Sequence, residues 1–317
     1  MRRKQLNLRA LHNSFCVQKC NKQERSLITE DGMCSKTVSV VDKLPVRCVG
    51  KWEKDKIYRL TRYFDIFATG MRKQWSGLNY IEICSGPGRC IVRETGDELD
   101  GTALSIINQD AMNFVKKAFF IDYNKEVVDI LNKRIALDEK VNIGEAIECD
   151  YNDIDAIKDI LSRVFDRCLN LVFVDPNDCG VPFITIKLID EILENVDFII
   201  NVSIGTDIAR NIRAAILESS HKKVRTKYVN FLGGQDYFDK ENILEYAKKG
   251  NAQKLQMLFL DEYKNNLSKL GFIYLDAVPV RHLYYLLFAS KHPTGLRFWK
   301  EACRIQPNGQ RTFKFSD

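Results

Sequence analysis

Four short apolar runs, each carrying an acidic residue at or near its end, constrain this chain more than any other feature. They are YIEICSGPGRC (80–90) with Glu82, AFFID (118–122) with Asp122, AIECD (146–150) with Asp150, and LVFVDP (171–176) with Asp175. Each run is rich in β-branched or aromatic residues and gives way to turn residues or a helical pattern, as buried parallel strands do. Alternation of this kind produces a doubly wound sheet with right-handed crossovers. In such an open sheet, ligands bind in the crevice beyond the carboxyl ends of the strands. All four carboxylates are therefore expected on one rim.

The pattern predicts strands near 79–84, 118–122, 145–149, 170–174 and 197–203, with helices over 125–138, 153–166 and 183–194 between them. Asp207 is expected to cap the helix after the fifth strand. A helix from Trp52 to about Ser76 precedes the first strand, apolar at Trp52, Ile57, Leu60, Tyr63, Phe64 and Phe67. Its other face reads as basic, with Lys51, Lys54, Lys56, Arg59 and Arg62. Past a helix near 252–270, the runs 272–280 and 282–290 read as an antiparallel hairpin at the sheet edge, with Pro279 ending the first arm early. The expected fold is α/β: a Rossmann-like, class I methyltransferase-like, mostly parallel sheet with a C-terminal antiparallel hairpin and a basic N-terminal extension. The expected divisions are an extension over 1–45, a main domain over 46–296 with an insertion at about 228–250 serving as a lid or substrate wall, and a tail over 297–317.

Composition narrows the setting. The 317 residues are 45% apolar and 28% charged, ordinary for a globular protein. No apolar stretch reaches membrane-spanning length. Ten cysteines with no apolar leader after the basic start point to a reducing, cytoplasmic location. Residues 1–25 hold seven basic side chains against Glu24 alone, which accounts for the whole net charge of +6. Such an arm attracts phosphate backbones, or it is simply a solvated leader. The run from His221 to Lys227, with Arg210 and Arg213, is a second basic patch that could face phosphates or solvent equally well. Nucleic acid is thus a candidate partner through 1–25 and 221–227, and no membrane is expected. The spacing of Cys16, Cys20, Cys34 and Cys48 lacks the paired knuckles of a zinc site, so no metal is assigned.

The loop SGPGR after the first strand carries the cofactor argument. Gly86 and Gly88, with Pro87 fixing the turn, let the backbone approach a ligand that a Cβ would block. The dinucleotide fingerprint fails because Ile91 stands at its third glycine, and no Walker-type loop exists. S-adenosylmethionine (SAM) fits a loop that need not cradle a pyrophosphate. In a SAM site Glu82 faces the methionine amino end, Asp122 accepts the ribose hydroxyls, and Asp150 accepts from the adenine amine. Asp175 then stands beside the methyl group. Taken alone, each carboxylate reads as a helix cap or a loop acid. The cofactor-binding set is Glu82, Ser85, Gly86, Gly88, Asp122, Tyr123 and Asp150. The segment 91–100 keeps the glycine loop from opening directly into a helix, which is expected to start near Gly101-Thr102.

Several longer segments resemble the three-Cys-motif partner proteins, relatives of class I SAM-dependent methyltransferases in bacterial and phage-associated settings. The resemblance runs from about Leu44 to Pro293, through PVRCVGKWEKDK (45–56), RYFDIFATGMRKQW (62–75), YIEICSGPGRC (80–90), ETGDELDGTAL (94–104), DFIINVSIGTDIARN (197–211) and YYLLFASKH (284–292). Where that family's first-strand motif resembles D-L-F-A-G-P-G-R, this chain has E-I-C-S-G-P-G-R, with Glu82 in the acidic place. The resemblance implies a methyltransferase-like fold and a protein partner encoded nearby. The cysteines of the family's name belong to that partner.

The acceptor is less constrained. Adenine amino-methyltransferases carry D-P-P-Y after the fourth strand, whose prolines and aromatic hold a flipped base. This chain has Asp175-Pro176-Asn177-Asp178, which puts that chemistry in doubt. Asp175, Asn177 and Asp178 form the expected catalytic set, orienting an acceptor amine or hydroxyl. Cys179 lacks the preceding proline of a cytosine nucleophile. The leading reading is a SAM-dependent methyltransferase-like protein acting on or with nucleic acid in a mobile-element or phage-defence setting. A catalytically degenerate binding subunit and a metal-dependent nuclease are the alternatives.

Overall fold

A computed structural model describes residues 32–137 and 143–305. The chain enters through β1 (Met33–Val38) and β2 (Pro45–Val49), followed by α1 (Trp52–Met71) and the first strand of the main sheet, β3 (Leu78–Ile83). The short strands β4 (Arg89–Val92) and β5 (Glu98–Asp100) lead to α2 (Thr102–Ile107), and the alternation then settles: β6 (Val115–Asp122), α3 (Lys125–Ile135), β7 (Gly144–Glu148), α4 (Ile154–Leu161), β8 (Leu169–Val174), α5 (Phe183–Ile192) and β9 (Val196–Val202). A single π-helical turn (Ile204–Ile208) opens a run of helices: α6 (Ala209–Leu217), α7 (Lys222–Leu232), α8 (Asp236–Asp239), α9 (Glu241–Lys248) and α10 (Ala252–Lys269). The hairpin β10 (Tyr274–Val280) and β11 (Tyr284–Ser290) and the helix α11 (Pro293–Arg304) complete the described chain.

Seven strands form the main sheet in the order β10-β11-β9-β8-β3-β6-β7. β8, β3, β6 and β7 run parallel with β9, and β11 inserts antiparallel between β9 and β10. This is the expected Rossmann-like arrangement with its C-terminal antiparallel hairpin. The strand period of two sends alternate residues to opposite faces. Ile81, Phe119, Val172 and Phe198 pack against α4, α5, α6, α7 and α10. Tyr80, Phe120, Leu171 and Phe288 pack against α1, α2, α3 and α11. Both faces are therefore apolar, which is why the strands read as continuous hydrophobic runs. Polar caps mark where strands hand over to helices: the Asn124 side chain accepts from the N–H groups of Glu126 and Val127, and Asp153 accepts from Ala156.

Four expectations change in detail. The described part of the 1–45 extension is built into the fold, because β1 and β2 join β4 and β5 in a second sheet of order β1-β2-β4-β5. Pro279 does not end its arm; β10 runs on to Val280, and as a sheet-edge strand it tolerates a residue without an N–H. The segment 228–250, expected as an insertion serving as a lid or substrate wall, is largely helical, and Tyr228, Phe231, Tyr237 and Ile243 lie in the core. Asp207 caps no helix: its carboxylate accepts from the Cys179 N–H (3.0 Å), the Tyr228 hydroxyl (2.9 Å) and the Lys227 ammonium (2.7 Å). The basic arm over 1–25, Cys16 and Cys20, and the tail beyond 305 lie outside the described residues.

Candidate cofactor crevice and acceptor pocket

The glycine loop leaves β3 through an unusual backbone. Cys84, Gly86 and Gly88 all take left-handed conformations, at φ 67°, 65° and 89°. The two glycines serve different ends. A Cβ at Gly86 would lie 3.0 Å from Nη1 of Arg47, a side chain brought over the loop by β2. A Cβ at Gly88 would lie 2.8 Å from Cδ1 of Leu131 and 3.0 Å from Cγ of Leu104, both core residues on α3 and α2. Gly86 therefore leaves room for the Arg47 guanidinium on one side of the loop, and Gly88 lets two helices close on it. Arg134 of α3 braces the loop from below, donating to the Pro87 carbonyl (2.6 Å) and to Asp42 (2.8 Å) in the β1–β2 turn. Burial disfavours the charge on Asp42, but Arg134 and the Leu44 N–H outweigh it and hold its pKa below the usual value.

Three of the four strand-end acids are buried near one another: Asp175 acts electrostatically on Glu82, and Asp122 and Asp175 both act on Arg47. Asp122 accepts the Gly86 N–H at 3.0 Å and the Asn124 N–H at 3.2 Å, so the same carboxylate sets the loop and the end of β6. Glu82 is fully buried beneath it, accepting from the Tyr80 hydroxyl (2.8 Å) and the Thr102 hydroxyl. Burial pushes Glu82 up to about 8 in spite of those two bonds, so it is largely protonated at neutral pH. Asp175 lies against α1: Lys56 Nζ reaches its Oδ2 at 2.5 Å and Glu53 Oε1 at 2.9 Å, while Asn201 Nδ2 donates to its Oδ1 at 2.9 Å. Burial works against the charge on Lys56, but Asp175 and Glu53 more than compensate and hold it protonated. Arg47 is raised in the same way, with Asp122, Cys90, Asp175 and Glu53 outweighing its burial.

The remaining predicted residues spread outward. Asp150 is exposed, and its Oδ1 accepts from the backbone N–H (2.9 Å) and the side-chain amide (2.8 Å) of Asn152. It stands at the right strand end but apart from the other three acids. Tyr123 is 55% exposed on the rim next to Asp122. Ser85 is buried, and its hydroxyl bonds no protein group. Asn177 is exposed, and Asp178 turns away from Asp175 to pair with Lys227 at 2.9 Å. Of the expected catalytic trio, Asp175 and Asn177 line one cavity, while Lys227, which also bridges to Asp207, pairs with Asp178. That pairing takes Lys227 out of the 221–227 basic patch; Arg225 lies over the Phe238 ring at 4.9 Å. Among the described residues no group of His, Cys, Asp and Glu side chains is arranged to hold a metal ion. None of the described helices is long and apolar enough to cross a membrane.

Sequence reasoning missed Arg47, Glu53, Lys56, Asn201 and Tyr284. Together with Asp175 and Asn177 they line a cavity of about 220 Å³ beside the crevice. One signal was available: Asn201 is a polar residue that interrupts the apolar run after Asp197 near the end of its strand. Lys56 reads in sequence as part of the basic face of its helix; it is 6% exposed and lines the cavity.

No protein-family model matches the chain, and no curated protein is significantly similar to it in sequence. Several solved structures resemble it in fold. Human methyltransferase-like protein 13 in complex with S-adenosylhomocysteine (SAH) is 10% identical with a TM-score of 0.40, covering 83% of this chain and 96% of that one. An SAH-bound methyltransferase of Podospora anserina is 12% identical with a TM-score of 0.36, covering 77% and 89%. A Legionella pneumophila protein is 10% identical with a TM-score of 0.44, covering 82% and 94%. At such identities the likeness is one of fold, and the strand order defines that fold here.

Proposed function

We propose that this chain is a SAM-dependent methyltransferase of the three-Cys-motif partner family, acting on or with nucleic acid in a mobile-element or phage-defence setting beside a partner protein encoded nearby. The observation that carries the reading is the left-handed Gly86 turn, hydrogen-bonded to Asp122 and lined by the unpaired Ser85 hydroxyl. A buried hydroxyl without a partner is costly unless a ligand completes it. The residue chemistry fits the cofactor. The Arg47 guanidinium suits the methionine carboxylate, Ser85 the amino end, Asp122 the ribose hydroxyls, and Tyr123 and Asp150 the adenine, whereas Glu82, fully buried and largely protonated, is spent on Tyr80 and Thr102. SAM supplies an electrophilic methyl group on a sulfonium.

What the chain itself must do is hold an acceptor in line with that group, which is where most of the rate gain of such a transfer lies. Lys56 fixes the Asp175 carboxylate, and Asn201 takes its other oxygen. An ionised carboxylate has about four lone-pair sites, so Asp175 can still accept from an acceptor N–H or O–H. Lys227 keeps Asp178 oriented at the edge of the loop. The prior engagement of both Asp175 oxygens also favours a second reading, a binding subunit with a degenerate centre. Incubation with methyl-labelled SAM and separate DNA, RNA and protein fractions tests the proposal. Label entering nucleic acid, and lost in Asp175→Asn, supports it. SAM binding without transfer to any fraction supports the second reading.

A further inference from the structure

The cavity of about 220 Å³ beside Asp175 lies between α1, the ends of β8 and β9 and the start of β11. Three of its lining residues carry a buried polar atom with no hydrogen-bond partner: Oδ1 of Asn201, the hydroxyl of Tyr284 and Nε of Arg93. Each is a standing cost to the empty fold, because a buried donor or acceptor without a partner loses its hydration uncompensated. Asn201 cannot recover by flipping its amide. Its Nδ2 is already spent on Asp175 Oδ1 (2.9 Å) and the Pro176 carbonyl (3.3 Å), which fixes the free position as an acceptor.

Both carboxylates in the pocket are already paired, and the guanidinium groups of Arg47 and Arg93 line it as well. Lys56 neutralises Asp175 and Glu53 together, so an ammonium ligand finds no unpaired carboxylate. A carboxylate ligand could take the Arg93 Nε–H but brings no N–H for the Asn201 oxygen. What the unpaired atoms complement is an edge that carries both an N–H, for Asn201 Oδ1, and acceptor atoms, for Arg93 Nε and the Tyr284 hydroxyl, as the neutral edge of a heterocycle does. At about 220 Å³ the space falls below the roughly 300–1,000 Å³ that encloses a whole small-molecule ligand, so it takes one ring. Trp52 offers an aromatic wall, with the Arg93 guanidinium 5.3 Å from its ring centre.

We propose that this cavity is the acceptor pocket and that it reads the neutral donor–acceptor edge of a single nucleobase-like heterocycle. Asn201 Oδ1 accepts the ring or exocyclic N–H, the Tyr284 hydroxyl pairs with the neighbouring ring atom, and Trp52 lies against the ring. This deepens the methyl-transfer reading and rests on it for the identity of the acceptor, but the pocket can be probed without any methyl donor.

Cytosine, adenine and uracil, with benzoate and cyclohexylammonium as controls, are titrated into the full chain by calorimetry and tryptophan fluorescence. At least one base binds saturably and quenches the fluorescence, and the controls do not bind. Tyr284→Phe weakens that base roughly five-fold or more without lowering the melting temperature, since the lost hydroxyl had no protein partner. Trp52→Leu removes the quench. SAH binding is unchanged in Tyr284→Phe. The proposal is overturned if no base binds, if either control binds better, if Tyr284→Phe leaves base affinity intact, or if Tyr284→Phe melts well below the parent. Base binding without SAH binding would leave the pocket standing and remove the methyl-transfer reading; SAH binding without base binding would do the reverse.

Discussion

Replacing Glu82 with Gln isolates the most unusual charge state in the fold. Glu82 is fully buried, and burial carries its pKa up to about 8 against the pull of the Tyr80 and Thr102 hydroxyls. In the unfolded chain the same carboxyl ionises near 4.5. Between those values the folded state holds a proton that the unfolded state has released, so stability falls as pH rises. Each pH unit is worth about 1.4 kcal/mol, and the slope flattens on approaching the folded pKa, which leaves about 2 kcal/mol between pH 6 and 8. Gln has nearly the shape of the protonated acid and no proton to lose. Its stability relative to the parent therefore rises by about 2 kcal/mol over that interval. Asp197, which burial raises to about 6, titrates in both proteins and cancels from the comparison. Urea unfolding of parent and variant at pH 6, 7 and 8 makes the measurement. Parallel pH profiles for the two proteins would refute the reasoning, because they would mean that Glu82 is ionised throughout the range.

The two loop glycines should separate. Gly86→Ala keeps the fold, at a cost of about 1–2 kcal/mol for a left-handed alanine, but lowers SAH affinity; Gly88→Ala drives a methyl into Leu131 and Leu104 and lowers the melting temperature further. Melting curves and calorimetry on both variants check this, and equal effects on fold and affinity would contradict the assignment. Lys56→Met strands Asp175 and Glu53 together in the interior and should cost about 3–5 kcal/mol. Adding Asp175→Asn should return part of that loss in chemical denaturation, and no recovery would show that the pair is not coupled.

The topology was legible because it is written in local periods. Apolar runs such as LVFVDP (171–176) are buried on both faces, and Asn124 and Asp153 announce the helices after β6 and β7. The hairpin was legible too, although Pro279 misled about its length because edge position cannot be read from one strand alone. The site was half legible. Asp122 and Asp150 look alike in sequence, each ending a strand, and only the fold shows Asn152 occupying Asp150 while Gly86 engages Asp122. Lys56 and Arg47 were invisible for a different reason. Their roles depend on β2 and α1 being laid over the glycine loop, a non-local event that no spacing within 45–56 records. Asp178 shows the same limit, since its pairing with Lys227, about fifty residues along the chain, leaves no local trace in the sequence.

Titrating SAH into the purified chain by calorimetry is the most direct check on the cofactor crevice, with Asp122→Ala as the comparison. One molecule should bind per chain, and the variant should bind roughly 10- to 100-fold more weakly, the worth of hydrogen bonds to a charged carboxylate. An absence of heat at near-millimolar SAH, or an Asp122→Ala variant that binds as well as the parent, would contradict it.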